Sequence, residues 1–156
     1  ITYILSIGVC KCGDAPGSCC NIDFLPILLL QYILMSEIGL DIVEVIRVKR
    51  AIHKYGDKFI NRIYTPAEIK YCKEKVNPYP HFTGRFAAKE AILKALPEGW
   101  QGKLKWTDIE IKNNSSGNPR IILKGTALKF CRQKKIKKIK ITISHEKNYA
   151  VALAMI

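Results

Sequence analysis

The stretch GRFAAKEAILKAL, residues 84–96, limits what this chain can fold into more than any other. Its spacing predicts a helix. At about 100° per residue, Arg85 and Lys89 share one side with Ile92 and Leu96, and Phe86, Glu90 and Lys94 share a second. The alanines group on a third side, where another backbone can approach closely. No side is purely polar, so the helix is expected to be packed on more than one side of a layered domain. Its charges are then partly shielded and tolerated only with partners. On an open surface, Glu90 and Lys94 would be an ordinary i,i+4 pair worth a few tenths of a kcal/mol.

The flanking segments supply the layers. EIGLDIVEV (37–45) reads as a strand carrying Asp41. From Glu44, the residues Val45, Val48, Ile52 and Tyr55 recur at helical spacing up to Gly56. A short helix through Phe59, Ile60 and Ile63 follows. TPAE (65–68) opens another, with Thr65 as N-cap, Pro66 at the first helical position and Glu68 closing a capping box. NPYPHFTG (77–84) reads as a loop because of its two prolines, and Pro97 and Gly99 end the 84–96 helix.

The second half is mostly strands. TDIEIK (107–112) and PRIILK (119–124) form a hairpin around NNSSGN, and GTALKFCRQKK (125–135) is a helix with Leu128 and Cys131 inward. KIKITIS (138–144) alternates as a half-buried strand, and YAVALAMI (149–156) is apolar enough for the centre of a sheet. The order, abbreviated βαααββαββ, indicates a single α+β domain with a mostly antiparallel sheet packed against helices.

Residues 1–34 differ from this pattern. They hold Cys10, Cys12, Cys19 and Cys20, four of the chain's 6 cysteines, and an apolar run interrupted by Asp23 and Pro26. The run is shorter than a membrane-crossing helix needs. The cysteines do not form the paired spacing of a zinc knuckle. The segment is expected to be an extension or a translated upstream stretch, with the working domain at 35–156. A targeting segment or a small anchoring hairpin is the alternative. Cys72 and Cys131 read as buried thiols.

Asp41 in an apolar strand is costly unless paired or bound to a cation. Ser144 and His145 sit at a turn between apolar strands. With Glu90 and its neighbouring cations, the chain offers two carboxylates for a hard cation, several cations for phosphate, and an imidazole. Walker, dinucleotide-fingerprint, HExxH and GxSxG motifs are absent. The charge fits an anionic partner: 26 Lys plus Arg stand against 13 Asp plus Glu, a net +13.

GLDIVEVIRV, FTGRFAAKEAILKAL, WTDIEI followed by SGNPRI, and TISHEKNYAVALA together resemble the holo-acyl-carrier-protein synthases. These are the small phosphopantetheinyl transferases, and the likeness spans almost all of 35–156. The resemblance implies the 4'-phosphopantetheinyl transferase-like fold. It also implies an enzyme that moves 4'-phosphopantetheine from coenzyme A to a serine of an acyl carrier protein, with Mg2+, releasing 3',5'-ADP for fatty acid biosynthesis. It makes Asp41 and Glu90 the metal ligands and assigns catalysis to Glu90, as proton acceptor directly or through a water, and to Lys94. Arg85, Lys89 and Lys94 would contact coenzyme A phosphates, with Ser144 and His145 near its nucleotide end and Gly117 and Pro119 bordering the adenine. Arg47 and Arg50 would dock the acidic carrier. A homotrimer with sites between subunits and a cytoplasmic location are further implications; neither nucleic acid nor membrane is an expected partner.

Two segments depart from the family pattern: VNPYPHFTG ahead of the helix, and ALPEGWQGKL after it. A basic RNA-binding module is the rival reading, since KKIKKIKITIS (134–144) would suit a phosphate backbone. It leaves Asp41 and Glu90 unexplained. A coenzyme A-binding protein without transferase activity is a third reading, separated by a metal requirement.

Overall fold

The computed structural model describes residues 37–97 and 104–156. The 1–34 segment and most of the turn after the central helix lie outside them.

Strand β1 (Ile38–Glu44) leads directly into helix α1 (Val45–Tyr55), then α2 (Asp57–Ile63), α3 (Pro66–Lys73) and α4 (Pro78–Ala95). One turn of 3-10 helix at Trp106–Asp108 precedes strands β2 (Ile109–Asn113) and β3 (Pro119–Leu123), helix α5 (Gly125–Gln133), and strands β4 (Lys140–His145) and β5 (Tyr149–Met155). Four helices thus stand between the first two strands, one more than the abbreviated order allowed. The architecture is α+β. An antiparallel sheet of order β1-β5-β4 packs on α4, and β2 and β3 form a separate hairpin. The apolar run at 149–155 takes the central position, as its composition requires.

Close packing between sheet and helix rests on small residues. Ala87, Ala88 and Ala91 of α4 are wholly buried, as are Ala150 and Ala154 of β5. A Cβ added at Gly39 would lie 1.9 Å from the carbonyl oxygen of Ala91, so only glycine lets β1 approach the helix this closely. Asp41 pairs in register with Ala152, whose other neighbour is Ile143.

Local chemistry explains the helix ends. Gly56 stops α1 with φ 56°, its N–H bonded to the carbonyl of Ile52. Thr65 and Glu68 form the expected capping box on α3. The proline-rich segment 77–84 is a correction, because α4 already begins at Pro78. Prolines at the first and third helical positions lose no intrahelical bond, since the first four N–H groups of a helix have no acceptor inside it. Asn77 caps this end by accepting from the N–H of Tyr79 at 3.3 Å. Tyr55, counted in the apolar stripe of α1, is instead 54% exposed. Cys72 and Cys131 are free and buried, and burial pushes the Cys72 thiol up to about 12.

Candidate functional site

Asp41 occupies the middle of β1, on the face that alternation turns toward α4. Glu90 comes from the helix itself. Both line a pocket of about 360 Å3, together with Arg47, Val48, Phe59 and Phe86. Burial holds the Glu90 carboxyl above its usual range, the Asp41 charge raises it further, and Lys94 opposes both. Two carboxylates lining one pocket form a site for added positive charge. Among the described residues no cluster of three His, Cys, Asp or Glu side chains exists. A two-carboxylate site of this kind fits Mg2+, which keeps waters and takes substrate phosphates, better than a closed protein cage.

Lys94 does not form its ion pair with Glu90. Its ammonium reaches across to Asp41 at 2.7 Å and to the carbonyl oxygen of Leu40 at 3.2 Å. The lysine side chain is 51% exposed and the aspartate 13%. Lys94 therefore stands at the open edge of the pocket and ties the helix to β1. Arg47 and Arg50 are exposed on α1, where Arg47 also lines the pocket.

Lys89 is corrected outright. Expected at coenzyme A phosphates, it is fully buried, and its ammonium donates to the carbonyls of Ile63 at 2.7 Å and Trp106 at 3.0 Å and to Glu68 at 2.8 Å. Glu68 is equally enclosed, accepting also from the backbone of Thr65 and of Ile111. With all three ammonium donors engaged in the core, Lys89 presents nothing to a ligand.

Arg85 lies on a different side of α4 from Glu90, with a second group of expected residues. It donates to Asn113 at 3.2 Å, and Asn113 donates to the carbonyl oxygen of Gly117 at 2.9 Å. That relay links the helix to the hairpin turn carrying Pro119. Gly117, at φ 81°, holds a left-handed conformation that suits glycine. His145 ends β4 and packs over α4, since a Cβ at Gly84 would meet its ring at 3.5 Å. Ser144, one residue earlier, faces the opposite side of the sheet and is exposed. The two residues of the S-H pair thus serve different faces.

Sequence reasoning missed Tyr71, Lys75, His81 and Asn113. The Arg85 guanidinium stacks 3.9 Å from the centre of the Tyr71 ring, Lys75 lies 4.5 Å from the same ring, and the rings of His81 and His145 are 4.7 Å apart. Only His81 left a usable signal: once Asn77 is read as a cap, it falls four residues before Arg85 on one helix.

Known proteins resemble this chain in sequence and in fold. The 4'-phosphopantetheinyl transferase superfamily matches residues 37–154. The holo-[acyl-carrier-protein] synthase of Halothermothrix orenii is 42% identical over 122 residues, covering 78% of this chain and 97% of its own. Among solved structures, the Neisseria meningitidis holo-[acyl-carrier-protein] synthase superposes with a TM-score of 0.70 at 32% identity, over 76% of this chain and 95% of its own. The Helicobacter pylori enzyme, solved in complex with coenzyme A, gives 0.66 at 32% identity, over 75% and 96%. A family match over residues 37–154 and relatives matched along nearly their full length place the chain: it belongs to the 4'-phosphopantetheinyl transferase superfamily and is an enzyme of its holo-[acyl-carrier-protein] synthase family.

Proposed function

We propose that this protein transfers 4'-phosphopantetheine from coenzyme A to a serine of an apo-acyl carrier protein, with Mg2+, in fatty acid biosynthesis in the cytoplasm. The observation that carries the reading is the pairing of Asp41 and Glu90 in one pocket beside the basic helix α1. Relatives named for the reaction, one of them solved with coenzyme A, supply the substrate class.

Asp41 and Glu90 would hold the cation, whose chemistry when bound is neutralisation of charge on the pyrophosphate. The serine oxygen forms a bond to the phosphorus nearer the pantetheine as the bond from that phosphorus to the bridging oxygen breaks. The departing 3',5'-ADP takes the electron pair. Glu90 accepts the serine proton, a task helped by the burial that makes its carboxylate more basic than usual. Lys94, half-exposed at the rim, is placed to meet pyrophosphate oxygens and to exchange Asp41 for them. Arg47 and Arg50 steer the acidic carrier, so its association should weaken with salt.

A homotrimer completes the proposal. The pocket holding Glu90 and the cluster holding Arg85 and His145 lie on different sides of α4, about 140° apart by helical geometry. They have no lining or contact residue in common. A coenzyme A molecule using both would take the acids from one subunit and the Arg85 cluster from the next. The outer face of the sheet suits such an assembly, with Ile38 61%, Leu40 56% and Ile42 61% exposed beside Tyr149 and Leu153.

The test is a mass-shift assay on apo-acyl carrier protein with coenzyme A, in Mg2+ and then in EDTA. A gain of one phosphopantetheine that EDTA abolishes is the expected result. Failure with several carriers, alongside salt-sensitive RNA binding, would favour a binding module.

A further inference from the structure

Ten of the chain's 26 Lys and Arg residues, and none of its 13 Asp and Glu residues, lie between Glu110 and Glu146. All ten are exposed. Lys129 and Arg132 stand three residues apart on the outer side of α5, opposite the buried Ala127 and Cys131. Lys135 and Lys137 follow in the connection, and Lys138 and Lys140 alternate with the half-buried Ile139 and Ile141 as β4 begins. Arg120 of β3 extends this face, since it lines a groove of about 400 Å3 together with Lys138 and Lys140. Lys140 and His145 sit at opposite ends of β4, about 16 Å apart. The face therefore lies away from the Arg85 cluster, and none of its residues lines the acid pocket.

One of these cations is kept against the preference of the backbone. Lys135 has φ 57°, a left-handed conformation. It follows α5 where glycine is the usual residue, its N–H bonded to the carbonyl of Arg132 and the next N–H, of Ile136, to that of Cys131. Gly56 ends α1 with a φ of the same sign and no side chain. A lysine in this position gives up fold stability for a charge.

The absence of other chemistry selects the partner. Among the described residues, no large apolar side chain of α5 or of 134–141 is strongly exposed. A protein partner would need an apolar centre and a surface poor in lysine. A membrane would need apolar side chains turned outward. Single-stranded nucleic acid would need aromatic platforms, and Phe130, half-buried, is the one Phe, Tyr or Trp between Glu110 and Glu146. A duplex phosphate backbone needs only exposed cations.

We propose that the face running from Lys129 to Lys140 binds the phosphate backbone of duplex nucleic acid, without regard to base sequence, as a second binding surface apart from the transferase site. Fluorescence anisotropy of the full chain with a labelled DNA duplex of about 20 base pairs, titrated at several salt concentrations, reads the contact. With five or six phosphates neutralised, log affinity should fall against log salt with a slope of about −4 to −5. Arg132→Glu with Lys138→Glu should weaken binding by about tenfold or more and flatten the slope, with phosphopantetheine transfer unchanged. Arg47→Glu with Arg50→Glu makes the same change in net charge on α1 and should leave the affinity close to that of the parent. Lys135→Gly should reduce the slope by about 1 while raising the melting temperature, which separates a lost contact from a lost fold. Equal weakening by the two double variants would mean attraction by net charge alone and would overturn the proposal. So would binding that salt does not weaken, or tighter binding to phosphatidylserine vesicles or to polyglutamate than to the duplex.

Discussion

At the scale of single residues, the proposed reaction rests on Glu90 and Asp41. An acid inside an apolar strand and an acid on a helix packed on several sides both lose solvation, and each was legible in the sequence for that reason. Replacing Glu90 by Gln should lower the transfer rate by about 10²–10⁴-fold, the usual range for losing a positioned proton acceptor, with the circular dichroism spectrum unchanged. A spectrum that collapsed along with the rate would make Glu90 structural. The effect of Asp41 on Glu90 predicts a second result. In metal-free protein the Glu90 carboxyl should titrate above about 4.3, the ordinary glutamate value, because burial and then Asp41 raise it. In Asp41→Asn its midpoint should drop, since one raising cause is gone and Lys94 is released from Asp41. Carbon-detected NMR of the side chain would show this, and an unmoved midpoint would mean that the acids do not share a site.

The elements owe their placement to a buried lock that the sequence did not disclose. Lys89 and Glu68 are 21 residues apart, and their 2.8 Å ion pair joins α4 to α3 while their remaining bonds reach Ile63, Trp106 and Ile111. The lock fixes the rotation of α4, and with it the direction of Glu90, the next residue. Lys89→Met should cost about 3–5 kcal/mol in a urea titration, because Glu68 is left as an uncompensated charge in the core. The double variant Lys89→Met with Glu68→Leu should recover much of that loss. A stable Lys89→Met with impaired coenzyme A affinity would restore the phosphate role instead. Helical spacing correctly placed Lys89 on a packed side of the helix. It could not show that the neighbour on that side supplies a carboxylate and two carbonyls.

The whole molecule has one feature that a single chain leaves unresolved. Ile38, Leu40 and Ile42 alternate with the buried residues of β1 and point away from the core. Under the proposed homotrimer, further copies of the chain would cover this exposed apolar sheet face. Leu40→Asp should therefore shift the sedimentation coefficient from that of an oligomer to that of a monomer and abolish transfer, with secondary structure retained. Equal sedimentation of variant and parent would sink the assembly.

The amino-acid sequence by itself determined the elements whose signals are local. The capping box at Thr65, the Gly56 stop, the apolar central strand at 149–155 and the many-sided packing of the 84–96 helix all depend on neighbours within a few residues. The candidate metal ligands were legible for a related reason, since a carboxylate in an apolar segment needs a partner wherever the chain goes. Tertiary structure alone decided which cations are used up inside and which stay available. Lys89 and Lys94 are five residues apart on one helix, with the same local sequence character. One is fully enclosed by α2, α3 and the 3-10 turn, and the other emerges beside β1. The prolines at 78 and 80 were misread because a helix start tolerates what a helix interior does not, and only the cap at Asn77 distinguishes the two. That same first turn carries His81 to His145, a contact between residues 64 positions apart that no local pattern encodes.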